Sequence, residues 1–179
     1  MATTNLQFRI ATADDASKVQ QIVQSAFQTN DSRPDWTGNV ELASKFRIPV
    51  EEVQAKIANP DITTFVALDA DKDNALVGCI DVSKRGTDYA RISMLAVDDS
   101  YQRGGVGRQV LAYAEDYCRR TWGTEKFSLN ALSTRKALIE WYNRRGYRKT
   151  GTSPFPFREA LEGISGLPDD LCFIEMEKA

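Results

Sequence analysis

Apolar residues recur along the chain with two spacings, one typical of helices and one typical of strands. Helical spacing predicts four helices: after a cap at Thr12, after Pro49, from Val106 to Trp122, and from a cap at Ser133 or Thr134 to Gly146. Short apolar segments bounded by turn residues predict seven strands, at residues 7–10, 63–68, 75–83, 92–97, 126–132, 147–150 and 171–177.

The order of these elements is β-α-α-β-β-β-α-β-α-β-β. It predicts an α/β fold with a mixed central sheet and helices on both faces. The helix at 106–122 joins two strands as a crossover, which favours a parallel pair. Proline and glycine predict loops at 28–39 and 151–170. A chain of 179 residues suits one domain, 1–179, with a single core.

A glycine-rich turn separates the strand at 92–97 from the helix that begins at Val106. It contains Gly104, Gly105 and Gly107, with Arg103 and Arg108 on either side. The first N–H groups of a helix have no internal partners and its dipole end is positive, so such a turn can hold phosphate. A plain tight turn is the alternative at this point. The turn lacks the Gly-Lys-Ser/Thr of a P-loop and the third glycine of a dinucleotide fingerprint.

Composition excludes several kinds of chemistry. The chain has no histidine, which removes histidine-based triads, histidine-ligated zinc and a histidine general base. Its net charge of −2 argues against a general nucleic-acid binder. The acidic turn at 69–74 lacks the glycine and closing glutamate of a calcium loop, so we expect a hairpin turn and no metal.

Location is predicted from the cysteines and from the absence of membrane or export signals. Cys79, Cys118 and Cys172 lie far apart in apolar or periodic surroundings, typical of buried thiols in a reducing compartment. Residues 1–5 are polar and no apolar leader follows. No apolar run approaches membrane-spanning length, so we expect a cytoplasmic protein with no membrane partner.

A second stretch, at residues 137–147, gives the glycine turn its context. Tyr142 lies four residues before the pair Gly146-Tyr147 at a predicted helix end. With the first motif, Gln102-x-x-Gly105-x-Gly107, and the opening segment 8–15, the chain resembles the Gcn5-related N-acetyltransferase (GNAT) family. The likeness extends over nearly the whole chain in element order, and its sharp motifs cover residues 91–108 and 133–150.

The resemblance implies the acyl-CoA N-acyltransferase fold and acetyl-CoA as cosubstrate. Backbone groups of Leu95, Ala96 and Val97 would bind the pantetheine arm as an added strand. The residues implied to hold the pyrophosphate are Gln102, Arg103, Gly104, Gly105, Val106, Gly107 and Arg108. The family often has asparagine at the position of Thr134, where it contacts the cofactor, so this chain departs from the pattern there.

The family motif also indicates a catalytic role for Tyr142, as the acid that protonates the leaving thiolate. A core-facing aromatic is the alternative for this residue. Many relatives have a glutamate on the central strand, whereas this chain offers only Ser93 among polar residues there. Asp81, on the preceding strand, is the candidate base, directly or through water. An exposed strand acid is its alternative.

The acceptor pocket is expected near residues 28–47 and 151–170. Candidate substrate-binding residues are Arg33, Trp36, Ser93, Phe155 and Phe157. Trp36 alternatively anchors packing. The first hypothesis for the acceptor is a small-molecule amine, the second a protein N-terminus or lysine. A non-catalytic acetyl-CoA-binding regulator is the alternative of another class. We expect a monomer or homodimer.

Overall fold

The computed structural model describes residues 4–28, 47–101, 105–154 and 171–179. Several predicted site residues lie outside these ranges, namely Arg33, Trp36, Gln102, Arg103, Gly104, Phe155 and Phe157. Most of both predicted loops, 28–39 and 151–170, lies outside them as well.

Four helices and seven strands are found in the described residues, in the predicted order, which confirms an α/β fold. The helices are α1 (Ala16–Gln28), α2 (Val50–Ala58), α3 (Val106–Trp122) and α4 (Lys136–Arg144). The strands are β1 (Leu6–Ile10), β2 (Ile62–Asp69), β3 (Ala75–Arg85), β4 (Tyr89–Val97), β5 (Lys126–Leu132), β6 (Arg148–Pro154) and β7 (Cys172–Lys178).

The chain divides into two compact units, and residues 1–26 and 47–127 form the first. Its strands pair antiparallel in the order β1-β2-β3-β4. On one face of this sheet, Tyr113 of α3 stacks on Phe8, with ring centroids 4.2 Å apart, and meets the edge of Phe65. α2 packs against β2, and its Lys56 interacts electrostatically with Asp81 on the opposite face. Helices therefore cover both faces of the first unit's sheet.

Close packing of α3 depends on a glycine in β3. The buried side of the helix is mostly apolar and regularly spaced, with Val106, Val110, Leu111, Ala114 and Cys118 all at most 2% exposed. A Cβ atom at Gly78 would lie 3.3 Å from the Ala96 carbonyl oxygen and 3.5 Å from Cγ2 of Val110. Because glycine has no Cβ, the helix can approach the sheet at this point.

Residues 27–46 and 128–179 form the second unit. Its strand order is β5-β7-β6, and β6 and β7 pair antiparallel. Tyr147 and Met176 are fully buried in its core. Gly146, with φ +103°, ends α4 in the left-handed conformation that the sequence predicted. Organisation as a single domain over 1–179 stays a prediction.

Three details differ most from the sequence predictions. β4 begins three residues before Ile92, and β6 continues to Pro154 through a segment expected to be loop. The cap of α4 is Arg135 rather than Ser133 or Thr134, and it makes no side-chain capping bond. The hydroxyl of Ser133 instead accepts a hydrogen bond from the Cys172 N–H at 3.2 Å, so a contact with β7 takes the place of the cap.

Candidate functional site

The central strand β4 carries a bulge. Cys79 of β3 lies opposite Ala96 while Asp81 lies opposite Ser93, so β4 has one residue more than β3 between these pairs. Met94 lies inside the bulge with φ +54°, a conformation that a side chain disfavours. Its carbonyl oxygen accepts a hydrogen bond from the Cys79 thiol at 3.6 Å. No sequence signal predicted this bulge, since Met94 is not a turn residue.

The predicted pantetheine-binding segment follows the bulge directly. Leu95 is half-buried, and Ala96 and Val97 are buried. Pairing with β3 resumes here, where Val97 lies opposite Gly78 and the Asp98 N–H donates to the Val77 carbonyl at 2.8 Å. The bulge therefore sets the direction of the backbone groups at Leu95, at the point where the resemblance implies that pantetheine binds.

The glycine turn leads into the N-terminus of α3. Gly105 has φ +73°, and a Cβ there would meet nothing within 4 Å in the described part of the chain. The conformation, rather than lack of space, therefore favours glycine. The Gln109 N–H donates to the Gly105 carbonyl at 3.1 Å as the first turn of the helix closes. The N–H groups of residues 106–108 precede that bond and are available to an anion, beside the exposed Arg108.

A short 3₁₀ turn, Asp99–Tyr101, precedes the glycine turn and is held from two sides. The Tyr101 hydroxyl donates to Oδ2 of the buried Asp69 at 2.6 Å. The Ser25 hydroxyl of α1 donates to Oδ2 of Asp99 at 3.0 Å. Sequence reasoning missed these contacts, because the partners are 32 and 74 residues apart.

Asp81 is a buried carboxylate, so its interpretation as an exposed strand acid is wrong. Its exposure is 5%, and Oδ1 accepts a hydrogen bond of 2.7 Å from the hydroxyl of Thr64. Burial raises the pKa of Asp81 to about 6, against the opposing effects of Thr64 and Lys56. The structure places Asp81 opposite the exposed Ser93, as cross-strand neighbours in the first unit.

Tyr142 lies in the second unit with 6% exposure. Its ring makes edge contacts with Trp141 and Tyr147, at centroid distances of 5.3 and 5.9 Å. Burial raises the pKa of Tyr142 to about 12, so the phenol is protonated at neutral pH. Within the described residues its hydroxyl makes no hydrogen bond. Tyr142 therefore packs as a core aromatic, and its hydroxyl is a proton donor that has no acceptor in the described residues.

Thr134 has a buried hydroxyl that lacks a partner. Its Oγ1 atom is shielded from solvent and bonds to nothing in the described residues. Buried polar atoms rarely stay unsatisfied in a working protein, so this one fits contact with a bound molecule. The N–H groups at the start of α3, which have no partner within the described residues, fit an anionic group in the same way. The phosphates of the implied acetyl-CoA suit these N–H groups of the first unit.

A search against family models gives a match over most of the chain. The model of the acetyltransferase (GNAT) family covers residues 26–147, more than half of the sequence. The chain belongs to the GNAT family. It is therefore an acetyl-CoA-dependent N-acetyltransferase by family, and the resemblance drawn from its two motifs is confirmed. No curated protein sequence matches the chain significantly.

Solved structures support the same fold at low sequence identity. The ribosomal-protein-S18-alanine N-acetyltransferase of Escherichia coli has a TM-score of 0.70 and 16% identity, over 97% of this chain and 93% of that one. NAA60 of Arabidopsis thaliana, in complex with a bisubstrate analogue, has a TM-score of 0.70 and 15% identity, over 97% and 98%. The spermidine/spermine N-acetyltransferase SpeG of Vibrio cholerae has a TM-score of 0.64 and 16% identity, over 96% and 91%.

These neighbours confirm the GNAT-type mixed-sheet fold, and their names span both protein and small-molecule acceptors. The acceptor therefore needs an argument from this GNAT chain's own residues. Among the helices that the structure describes, none is long and apolar enough to cross a bilayer. Cytoplasmic location and the oligomeric state stay predictions.

Proposed function

We propose that this GNAT protein transfers the acetyl group of acetyl-CoA to a primary amine of a small molecule. The observation that supports this acceptor class is the carboxylate of Asp81, recessed in the sheet with 5% exposure beside the exposed Ser93. A recessed carboxylate suits a compact ammonium ion, which can approach it closely and lose a proton to it. An amine that belongs to a peptide or protein is attached to a bulky chain and can approach a recessed carboxylate less freely.

The first unit supplies most of the groups that we assign to acetyl-CoA. The N–H groups at the start of α3 bind the pyrophosphate, together with Gln102, Arg103 and Gly104. Backbone groups of residues 95–97 bind the pantetheine arm as an added strand. In the second unit, the orphan hydroxyl of Thr134 supplies the contact that asparagine makes in many relatives.

Tyr142 is the proposed general acid for the departing thiolate. Its pKa of about 12 keeps the phenol protonated over the working pH range. The same apolar surroundings raise the pKa of a thiol held beside Tyr142. This reduces the difference between the pKa values of the phenol that donates the proton and the thiol that forms. Backbone N–H groups at the β4 bulge are the candidate donors to the oxyanion that forms during attack.

An amine panel with acetyl-CoA tests the proposal, with release of free thiol as the readout. Polyamines, amino acids and amino alcohols form one arm, and peptides with a free N-terminus or an internal lysine form the other. We expect saturable turnover with members of the small-amine arm and a much lower kcat/KM for peptides. Turnover of peptides alone would assign a protein acceptor instead.

A binding measurement runs beside the panel, because a regulator also binds acetyl-CoA. Acetyl-CoA should raise the melting temperature progressively with concentration. Such a shift without thiol release from any amine would identify a non-catalytic regulator and overturn the proposed activity.

A further inference from the structure

A row of polar side chains crosses three strands of the first unit. Thr64 of β2 lies opposite Asp81 of β3, and Asp81 lies opposite Ser93 of β4, so the three share one face of the sheet. Thr64 is 4% exposed and Asp81 is 5% exposed. Their neighbours on the same face, Val66 and Cys79, are buried and apolar. A hydroxyl–carboxylate pair in such surroundings is costly to bury, which calls for a functional explanation.

The geometry of the pair is asymmetric. The Thr64 hydroxyl donates to Oδ1 of Asp81 at 2.7 Å. In the described part of the chain, Oδ2 receives no hydrogen bond. Threonine is β-branched and has restricted side-chain rotation on a strand, so its hydroxyl holds one carboxylate oxygen in a fixed direction. The other oxygen is left for a group outside the pair.

We propose that Thr64 is a positioning residue for acetyl transfer, whose hydroxyl orients the carboxylate of Asp81 and favours its ionised form, so that Oδ2 takes the proton of the acceptor amine. This inference depends on the proposed function and adds to it a residue that contacts neither substrate. The ammonium form of the acceptor first gives one proton to Oδ2, from which it passes to solvent, so that the amine reacts in its neutral form. The amine nitrogen then forms a bond to the acetyl carbon while the bond from that carbon to sulfur breaks. One N–H proton passes to Oδ2, directly or through a water, and the thiolate takes the proton of Tyr142. Asp81 then releases its proton to solvent, and Tyr142 regains one.

The groups around Asp81 support a carboxylate that is ionised and can still accept a proton. Burial raises the pKa of Asp81, while the Thr64 hydrogen bond and Lys56 of α2 lower it. Cys79, two residues away on β3, has its thiol pKa raised by burial and then by Asp81, so it stays neutral. Ser93 on β4 is uncharged. The thiol and serine add no charge, so the Thr64 hydroxyl and Lys56 are the groups that offset burial.

Thr64→Val tests the inference, because it removes the hydroxyl and keeps the shape of the side chain. Carboxyl ¹³C NMR, with the Asp81 signal assigned through Asp81→Asn, reports the pKa directly. The pH profile of kcat is measured with two acceptors of different amine pKa. We expect the Asp81 pKa and the acidic limb of the kcat profile to rise together, by about one to two units for both acceptors. Thr64→Ser, which restores a hydroxyl, should return both values toward wild type.

Thr63→Val is the matched control, since this residue neighbours Thr64 on β2 and pairs with Val82 instead of Asp81. It should leave both values unchanged. A carboxyl pKa that does not move in Thr64→Val would overturn the inference. So would a pKa that rises while the kcat limb stays in place, and continued turnover in that case would leave the amine acetyltransferase activity standing.

Failure of the proposed function would give a different experimental result from failure of this inference. If the wild-type protein binds acetyl-CoA and acetylates no amine, the proposed function and this inference both fail. Should Thr64→Val not fold, Thr64→Ala is the second hydroxyl-free variant and carries the same expectation.

Discussion

At the scale of single residues, Tyr142 and Asp81 are both candidates proposed from the sequence, though by different signals. Tyr142 was marked by its distance from Gly146 in a family motif, and Asp81 by the absence of any histidine or central-strand glutamate. Thr64 was missed because threonine is an ordinary strand residue, and only the paired strands show that it bonds to Asp81. Local sequence pattern identifies candidates for the acid and the base, whereas the residue that we propose to tune the base is recognised only from cross-strand register.

Replacement of Tyr142 by phenylalanine isolates the role of the hydroxyl. The ring contacts with Trp141 and Tyr147 are retained, so the fold should be preserved. If the phenol protonates the thiolate, kcat should fall roughly 10²-fold, with little change in acetyl-CoA affinity. Steady-state kinetics and calorimetric titration check the two values.

The loss in Tyr142→Phe should shrink with an acyl donor whose leaving thiol is more acidic, since that thiolate needs less protonation. Tyr113→Phe, a tyrosine that stacks on Phe8, is the control and should retain wild-type kcat. Full activity of Tyr142→Phe would return Tyr142 to the core-residue interpretation.

At the scale of elements, hydrophobic spacing predicted all seven strands and four helices of the described residues, because each element buries one side. What it missed depends on contacts between elements. The bulge at Met94 is set by the register of β4 against β3, and the loss of Ser133 as a cap follows from its bond to Cys172. The contacts that hold the 3₁₀ turn before the glycine turn were missed for the same reason, because they also join separate elements.

The hydrogen bond between the 3₁₀ turn and β2 can be tested by mutation. Tyr101→Phe removes the hydrogen bond to Asp69, which fixes this turn against the end of β2. We expect the Kd for acetyl-CoA to rise, about threefold to tenfold, because the turn to which we assign pyrophosphate binding starts at the next residue. At saturating acetyl-CoA, kcat should stay near its wild-type value.

Calorimetric titration of acetyl-CoA into Tyr101→Phe gives the Kd. Ser100→Ala is the matched control, since its exposed hydroxyl bonds to Asp98, just before the turn, and to no other group in the described residues. An unchanged Kd in Tyr101→Phe would show that the Asp69 contact does not position the site.

At the scale of the whole molecule, the order of elements was enough to predict the α/β class, and two spaced motifs were enough to identify the GNAT family. The burial of Asp81 was not predictable, since it results from packing on the sheet rather than from its own strand pattern. Carboxylates in this fold also differ in their effect on stability. The Arg9 hydrogen bond lowers the pKa of Asp15, whereas burial raises that of Asp81.

The pH dependence of global stability follows from these opposite shifts. Asp15 stabilises the fold above its unfolded pKa, and that stability is lost as pH falls through its lowered folded pKa. Asp81, with a folded pKa of about 6 against an ordinary value of 3.8, binds its proton more tightly when folded. Its ionisation therefore costs stability above pH 6, and acidification from about pH 6 to 4 removes that cost.

Asp81→Asn should consequently be more stable than wild type at pH 8, by at most about 3 kcal/mol. The amide keeps an oxygen that can accept the Thr64 hydrogen bond and carries no buried charge. The difference should shrink toward zero as pH falls to about 4, where both proteins are neutral at this position. Urea unfolding at pH 4, 6 and 8 measures it. Asp71→Asn, on the exposed hairpin turn, removes the same charge and should show no comparable gain at pH 8. An Asp81→Asn difference that is constant over this range would mean that Asp81 titrates alike in the folded and unfolded chains, and a base with a near-neutral pKa at this position would be ruled out.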